Sequence, residues 1–114
     1  MSGLLLSDDL IFTSRILGTA QALGLEMRVA RDSAALQALA SPQTTCVVVD
    51  LSNPGLVIED LVRASAGARV VAYGSHVDVA TLKRAREAGC DLVLPRSKFV
   101  EDLPAQMTDW FRPK

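Results

Sequence analysis

The stretch Thr45-Cys46-Val47-Val48-Val49-Asp50 decides the fold. Its apolar residues are continuous rather than alternating, the pattern of a central strand covered by helices on both faces. It also delivers a carboxylate, Asp50, at its end. Runs of the same kind flank it on either side: Leu4-Leu5-Leu6 within Gly3 to Ser7, and Val70-Val71-Ala72 within Arg69 to Tyr73. Leu25 to Ala30 and Asp91 to Leu94 complete a set of five. Leu25-Glu26-Met27-Arg28-Val29 alternates apolar with polar, so it suits an edge strand.

Between the runs lie stretches with one apolar stripe each. Phe12, Ile16, Ala20 and Leu23 share a helix face that Gly24 ends. Asp32 or Ser33 caps a second helix carrying Leu36, Leu39 and Ala40, which stops before Pro42. A third follows Pro54-Gly55 with Val57, Leu61 and Ala64 inward and Gly67 closing it, and a fourth is capped by Asp78, presents Val79, Leu82 and Ala85, and stops at Gly89. The fifth carries Val100, Leu103, Met107 and Trp110, with one of Trp110 and Phe111 more exposed than the other. Pro104 is expected to confine its regular part to residues after about Asp102, because proline is tolerated in a first turn. Strands alternating with helices make βαβ units around a parallel sheet, for which right-handed crossovers leave few arrangements. The expected fold is α/β, flavodoxin-like: a (βα)5 doubly wound parallel sheet in the order 2-1-3-4-5, in three layers, as one domain over residues 1–114.

The bulk composition agrees. At 114 residues, 49% hydrophobic and 22% charged, the chain is long enough for one real core and far from disordered compositions. A formal net charge of -1 supplies no global attraction to nucleic acid or an anionic membrane, so neither is an expected partner. Cys46 and Cys90 are too few for a disulfide framework and have no ligand spacing, which points to buried thiols in a reducing compartment. The apolar start, Met1 to Leu6, meets Asp8 and Asp9 too soon for a signal segment or membrane span, and a cytoplasmic location is expected.

In a doubly wound sheet, chemistry sits at the carboxyl ends of the strands near the switch point between strands 1 and 3. Ser7, Asp8 and Asp9 end strand 1 and Asp50 ends strand 3, so three carboxylates converge on one mouth. Clustered carboxylates repel, and a hard divalent cation held by oxygen ligands relieves them, with Mg²⁺ the natural candidate. Asp8 or Asp9 equally suits the N-cap of the first helix.

Three blocks together resemble a known pattern. Leu4-Leu5-Leu6-Ser7-Asp8-Asp9, then Val47-Val48-Val49-Asp50-Leu51-Ser52-Asn53-Pro54, then Ala88-Gly89-Cys90-Asp91-Leu92-Val93-Leu94-Pro95-Arg96-Ser97 are similar to the CheY-like receiver domains of response regulators. The resemblance implies that Asp50 matches the phosphoacceptor, that Asp8 and Asp9 match the metal-site acids, and that the Ser52 backbone carbonyl matches the remaining protein ligand. It also exposes departures. Gly74 stands where the family has a Ser or Thr, with Ser75 offering a hydroxyl one position late. Arg96 replaces the strand-5 lysine, Ser97 the adjoining proline, and Val93 the aromatic switch residue. Arg96, planar and bidentate, is expected to bridge Asp50 permanently, locking one conformation.

His76, the only histidine, begins the fourth helix and reads either as a site residue or as a polar loop residue, since no second His or Cys completes a site. No GxGxxG, Walker or GxSxG arrangement occurs. Lys83, Arg84, Arg86 and Lys98 mark the helix 4 to helix 5 face, which in receivers serves for dimers and effectors. The expected function is a stand-alone, degenerate two-component receiver (a pseudo-receiver), not an enzyme. It would be phosphorylated weakly on Asp50 or not at all and act on a sensor histidine kinase or other signalling protein, or as a homodimer through that face. The alternatives are a Mg²⁺-dependent phosphotransfer or phosphatase-like enzyme using Asp50, and a flavodoxin-like ligand module, against which 4% aromatic content counts.

Overall fold

A computed structural model describes residues 1–114. The chain alternates β1 (Ser2–Leu6), α1 (Leu10–Ala22), β2 (Met27–Ala30), α2 (Ser33–Leu39), β3 (Thr44–Asp50), α3 (Ile58–Ala64), β4 (Arg69–Gly74), α4 (Val79–Glu87), β5 (Leu92–Pro95) and α5 (Arg96–Phe111). The strands form one parallel sheet in the order β2-β1-β3-β4-β5, with the alternating strand at one edge as its pattern requires. No helix is long and apolar enough to cross a membrane.

Strand geometry sends successive side chains to opposite faces, and the buried runs supply both. Leu4, Leu6, Val47, Val49, Val70 and Ala72 face a core completed by Leu36, Ile58, Leu61, Leu82 and Ala85, from α2, α3 and α4. Leu5, Cys46, Val48, Val71 and Tyr73 face the other, completed by Ile16 and Ala20 of α1 and by Phe99, Leu103, Met107, Trp110 and Phe111 of α5. These are the three layers.

Local chemistry sets most boundaries. Asp9, Asp32 and Asp78 each accept an N-cap hydrogen bond from the backbone three residues on. Gly24, at φ 72°, takes the left-handed conformation that ends α1. Gly3 answers a close approach: a Cβ there would drive into the Phe111 ring, whose Cε2 would stand 2.6 Å away. The C-terminus of α5 can therefore lie flat on β1.

Four expectations need correction. Helix α5 starts at Arg96 and runs through Pro104, not after Asp102. The proline leaves the Val100 carbonyl without its helical donor, a cost of about 3 kcal/mol. Five buried side chains on both sides of it, each contributing about 1.5–3 kcal/mol, outweigh that. Trp110 and Phe111 are both buried, because Trp110 stacks on Phe99 at 5.6 Å while Phe111 fills the space over Gly3. Val57 and Val79 are exposed, since each stands at a helix start where the stripe has not yet turned inward, and Leu23 and Ala64 are exposed at the far ends of α1 and α3; Ile58 takes the place expected of Val57. His76 lies in the loop before α4 rather than in the helix.

Candidate functional site

The mouth at the carboxyl edge is built around Asp50. Burial of β3 on both faces leaves this carboxylate 2% exposed at the strand end. The turn that follows folds back on it: Asp50 Oδ1 accepts hydrogen bonds from the Ser52 backbone N–H at 2.9 Å and from Ser52 Oγ at 2.7 Å. A buried charge is tolerated when charge-assisted hydrogen bonds replace its lost water, which is what this turn provides. Behind Ser52, Asn53 is also buried and donates from Nδ2 to the Arg31 carbonyl at 2.9 Å, tying this turn to the loop after β2.

The other two acids are not drawn in. Asp9 is exposed and its Oδ1 accepts from the Phe12 N–H at 3.0 Å, while its own N–H donates to the buried Ser7 hydroxyl at 3.1 Å. Asp8 is exposed and accepts no hydrogen bond. Asp8, Asp9 and Asp50 thus reach one edge of the sheet, as the topology requires, but no group of three or more acid, histidine or cysteine side chains is assembled to hold a metal ion. For Mg²⁺ the donor set does not fit as it stands: Asp9 Oδ1 caps α1, Asp50 Oδ1 is held by Ser52, and the three acids do not converge. The Ser52 carbonyl accepts no backbone hydrogen bond and remains open.

On the reading side of the mouth, Gly74 ends β4 in register with Pro95, with the side chains of Leu51 and Leu82 3.4 Å from where its Cβ would stand. Ser75 does not replace the missing hydroxyl. Its Oγ accepts from the Val77 N–H at 3.4 Å and belongs to its own turn. Gly74, Ser75, Ser52, Thr81 and Arg96 enclose a cleft of about 50 Å³. The Arg96 lock on Asp50 is not formed, since Arg96 makes no ion pair. Its guanidinium lies over the Phe12 ring, 5.5 Å from the centroid, where a planar cation gains from the ring quadrupole. No cis peptide precedes Ser97.

Sequence reasoning missed Tyr73. It pairs in register with Asp50 and is fully buried, between Phe12 edge-on at 5.2 Å and Phe99 stacked at 4.3 Å. Burial pushes its phenol well above the ordinary tyrosine value, and the Asp50 carboxylate adds to this. The buried Tyr73 hydroxyl has no hydrogen-bond partner. The signal was present in the sequence: an aromatic hydroxyl ends strand 4 beside the strand that ends in Asp50. Arg96, Phe12, Tyr73, Phe99 and Trp110 form one continuous line of contacts from the mouth into the α1/α5 core.

The basic face is partly neutralised. Arg84 pairs with Glu59 at 2.9 Å and Lys98 with Asp102 at 3.1 Å, leaving Lys83 and Arg86 free. Exposed aliphatic side chains instead flank the mouth: Leu10 and Ile11 at the start of α1, Val77 in the loop before α4 and Val79 at the start of that helix. A larger cavity of about 220 Å³ opens between α2 and α3, but the one charged side chain in its lining, Asp60, is already paired with Arg63 at 2.7 Å. Chemistry is concentrated at the mouth.

No protein-family model matches the chain, and no curated protein matches it in sequence. Solved structures do. The receiver domain of NtrX from Brucella abortus superposes with a TM-score of 0.81 at 17% identity, over 96% of this chain and 98% of that one. A response regulator receiver domain protein from Clostridium thermocellum gives 0.80 at 16%, over 97% and 94%. A longer NtrX chain from Brucella abortus gives 0.80 at 18%; there the match covers 97% of this chain and 27% of that chain. The chain has the receiver fold, and at these identities the likeness is one of fold.

Proposed function

We propose that this chain is a two-component signalling module of receiver type, cytoplasmic, acting through protein–protein contact, in which Asp50 holds the phosphoacceptor position while the corner around it is set in a phosphate-independent state. The observation that carries this reading is the closed turn: Ser52 covers Asp50 with two hydrogen bonds, and Arg96 is turned onto Phe12. With Gly74 offering no hydroxyl and Ser75 held in its own turn, no side chain stands ready to pull the β4–α4 loop toward a modified Asp50. The exposed Leu10, Ile11, Val77 and Val79 give a partner apolar contact on both sides of the mouth. The partner is a sensor histidine kinase or another signalling protein, and the helix 4 to helix 5 face, with Lys83 and Arg86 unpaired, is a second place for a partner or another copy.

A second reading is weak, Mg²⁺-dependent phosphorylation of Asp50. It is favoured by the placement of Asp50 at the switch point, with the Ser52 carbonyl open beside it. It requires Asp8 and Asp9 to turn toward Asp50, with Asp9 and Asp50 binding through the oxygens that the cap and the Ser52 turn leave free. Asp8, Asp9, Asp50 and the Ser52 carbonyl would then hold the ion, which when bound would offset negative charge on a phosphoryl donor.

An NMR titration of labelled protein with Mg²⁺, then with beryllofluoride, separates the two, with Asp50→Asn as control. The closed corner predicts no saturable shift at Asp9, Asp50 or Ser52. Shifts there that spread to α4 and α5 and vanish in Asp50→Asn would replace the first reading by the second.

A further inference from the structure

On the α1/α5 side of the mouth lies an open cleft of about 560 Å³, lined by Phe12, Arg15, Ser75, His76, Arg96 and Ser97, with Val100 as an apolar wall. No carboxylate lines it. Neither arginine nor the histidine takes part in any ion pair of the molecule. Arg96 is the unusual member. A guanidinium carries five N–H donors, and no protein acceptor takes one from Arg96, although its Nε is buried away from solvent. A buried donor is normally paired, and Arg96 Nε is not. The guanidinium carbon lies 5.5 Å from the Phe12 ring centroid, a contact that helps to place the cation at the cleft without occupying its N–H groups. Helix α5 begins at Arg96 with no side-chain cap, so its first-turn N–H groups add partial positive charge at the same place.

We propose that this cleft binds the phosphate group of a small phosphate monoester. Two guanidinium charges match a dianion, and donors from three elements, Arg15 of α1, His76 of the β4–α4 loop, and Arg96 with Ser97 of α5, suit the several oxygens of a tetrahedral group better than a planar carboxylate. Phe12 and Val100 leave an apolar wall for the organic part of the ester. The inference does not rest on phosphorylation of Asp50, which does not line the cleft.

The test is a titration of labelled protein, free of Mg²⁺ and at constant ionic strength, with inorganic phosphate and with phenyl phosphate. Saturable shifts of the Ser75, His76 and Ser97 amides are expected. Binding should weaken about tenfold in Arg96→Gln and several-fold in Arg15→Gln, whose exposed position keeps the fold intact, and stay unchanged in Asp50→Asn. Tighter binding of phenyl phosphate assigns the site to an ester; equal binding assigns the same site to free phosphate. Absence of saturation, shifts reproduced by chloride alone, or an affinity unchanged from the parent in both arginine variants would overturn the proposal. Silence toward Mg²⁺ and beryllofluoride with a positive result here separates this site from the chemistry of Asp50.

Discussion

Asp50 and Ser52 show how one hydroxyl redirects a residue with a reactive position. A carboxylate at a strand end faces either water, a metal or a neighbour, and the Ser52 hydroxyl at 2.7 Å makes the neighbour win. The thiols follow the same logic of environment. Burial pushes Cys46 up to about 12 and Cys90 up to about 11 from an ordinary 9.0. Because the folded state favours the neutral thiol, the associated stability is fully present below the ordinary value and is lost as pH rises from there through 11 and 12. The denaturant midpoint should therefore hold steady up to about pH 9 and fall above it. A double variant, Cys46→Ala with Cys90→Ala, should show a shallower fall relative to its own neutral value; an equally steep one would assign the effect to other groups. Both thiols should also resist alkylation at neutral pH until the protein unfolds, because the thiolate is the nucleophile.

Helix α5 is an element held by its contacts rather than by its own propensity. Phe99, Leu103, Met107, Trp110 and Phe111 are all buried, so the helix stays continuous although Pro104 removes one of its donors. Pro104 itself is exposed. Pro104→Ala restores an N–H for the Val100 carbonyl at a position with nothing to repack, and should stabilise the protein by about 2 kcal/mol, read from urea unfolding. An unchanged midpoint would mean that the helix already relieves the proline in solution. The expectation that Pro104 confines α5 weighed a local rule without the five side chains that oppose it. By contrast, the Asp32 and Asp78 caps and the Gly24 terminus were legible because capping and left-handed turns are settled within a few residues.

At the scale of the whole molecule, the sheet order brings the starts of α1 and α4 to the same edge as Asp50, and with them the exposed Leu10, Ile11, Val77 and Val79. Water-facing aliphatics on both sides of a polar mouth fit a contact surface better than a catalytic cleft. Ile11→Ser combined with Val79→Ser should leave stability within about 0.5 kcal/mol of the parent, since neither residue packs in the core, and should abolish complex formation with the signalling partner. A complex that survives in the double variant would move docking to another face. The five βα units, the 2-1-3-4-5 order and the placement of Asp50 at the switch point were legible in the order of residues, because periodicity, turn chemistry and crossover handedness are local or nearly so. That Arg96 lies on Phe12 rather than on Asp50, and that Tyr73 is sealed between Phe12 and Phe99, came from packing alone. Those outcomes depend on which side chains from distant parts of the chain meet across the core, and residue spacing carries no record of such meetings.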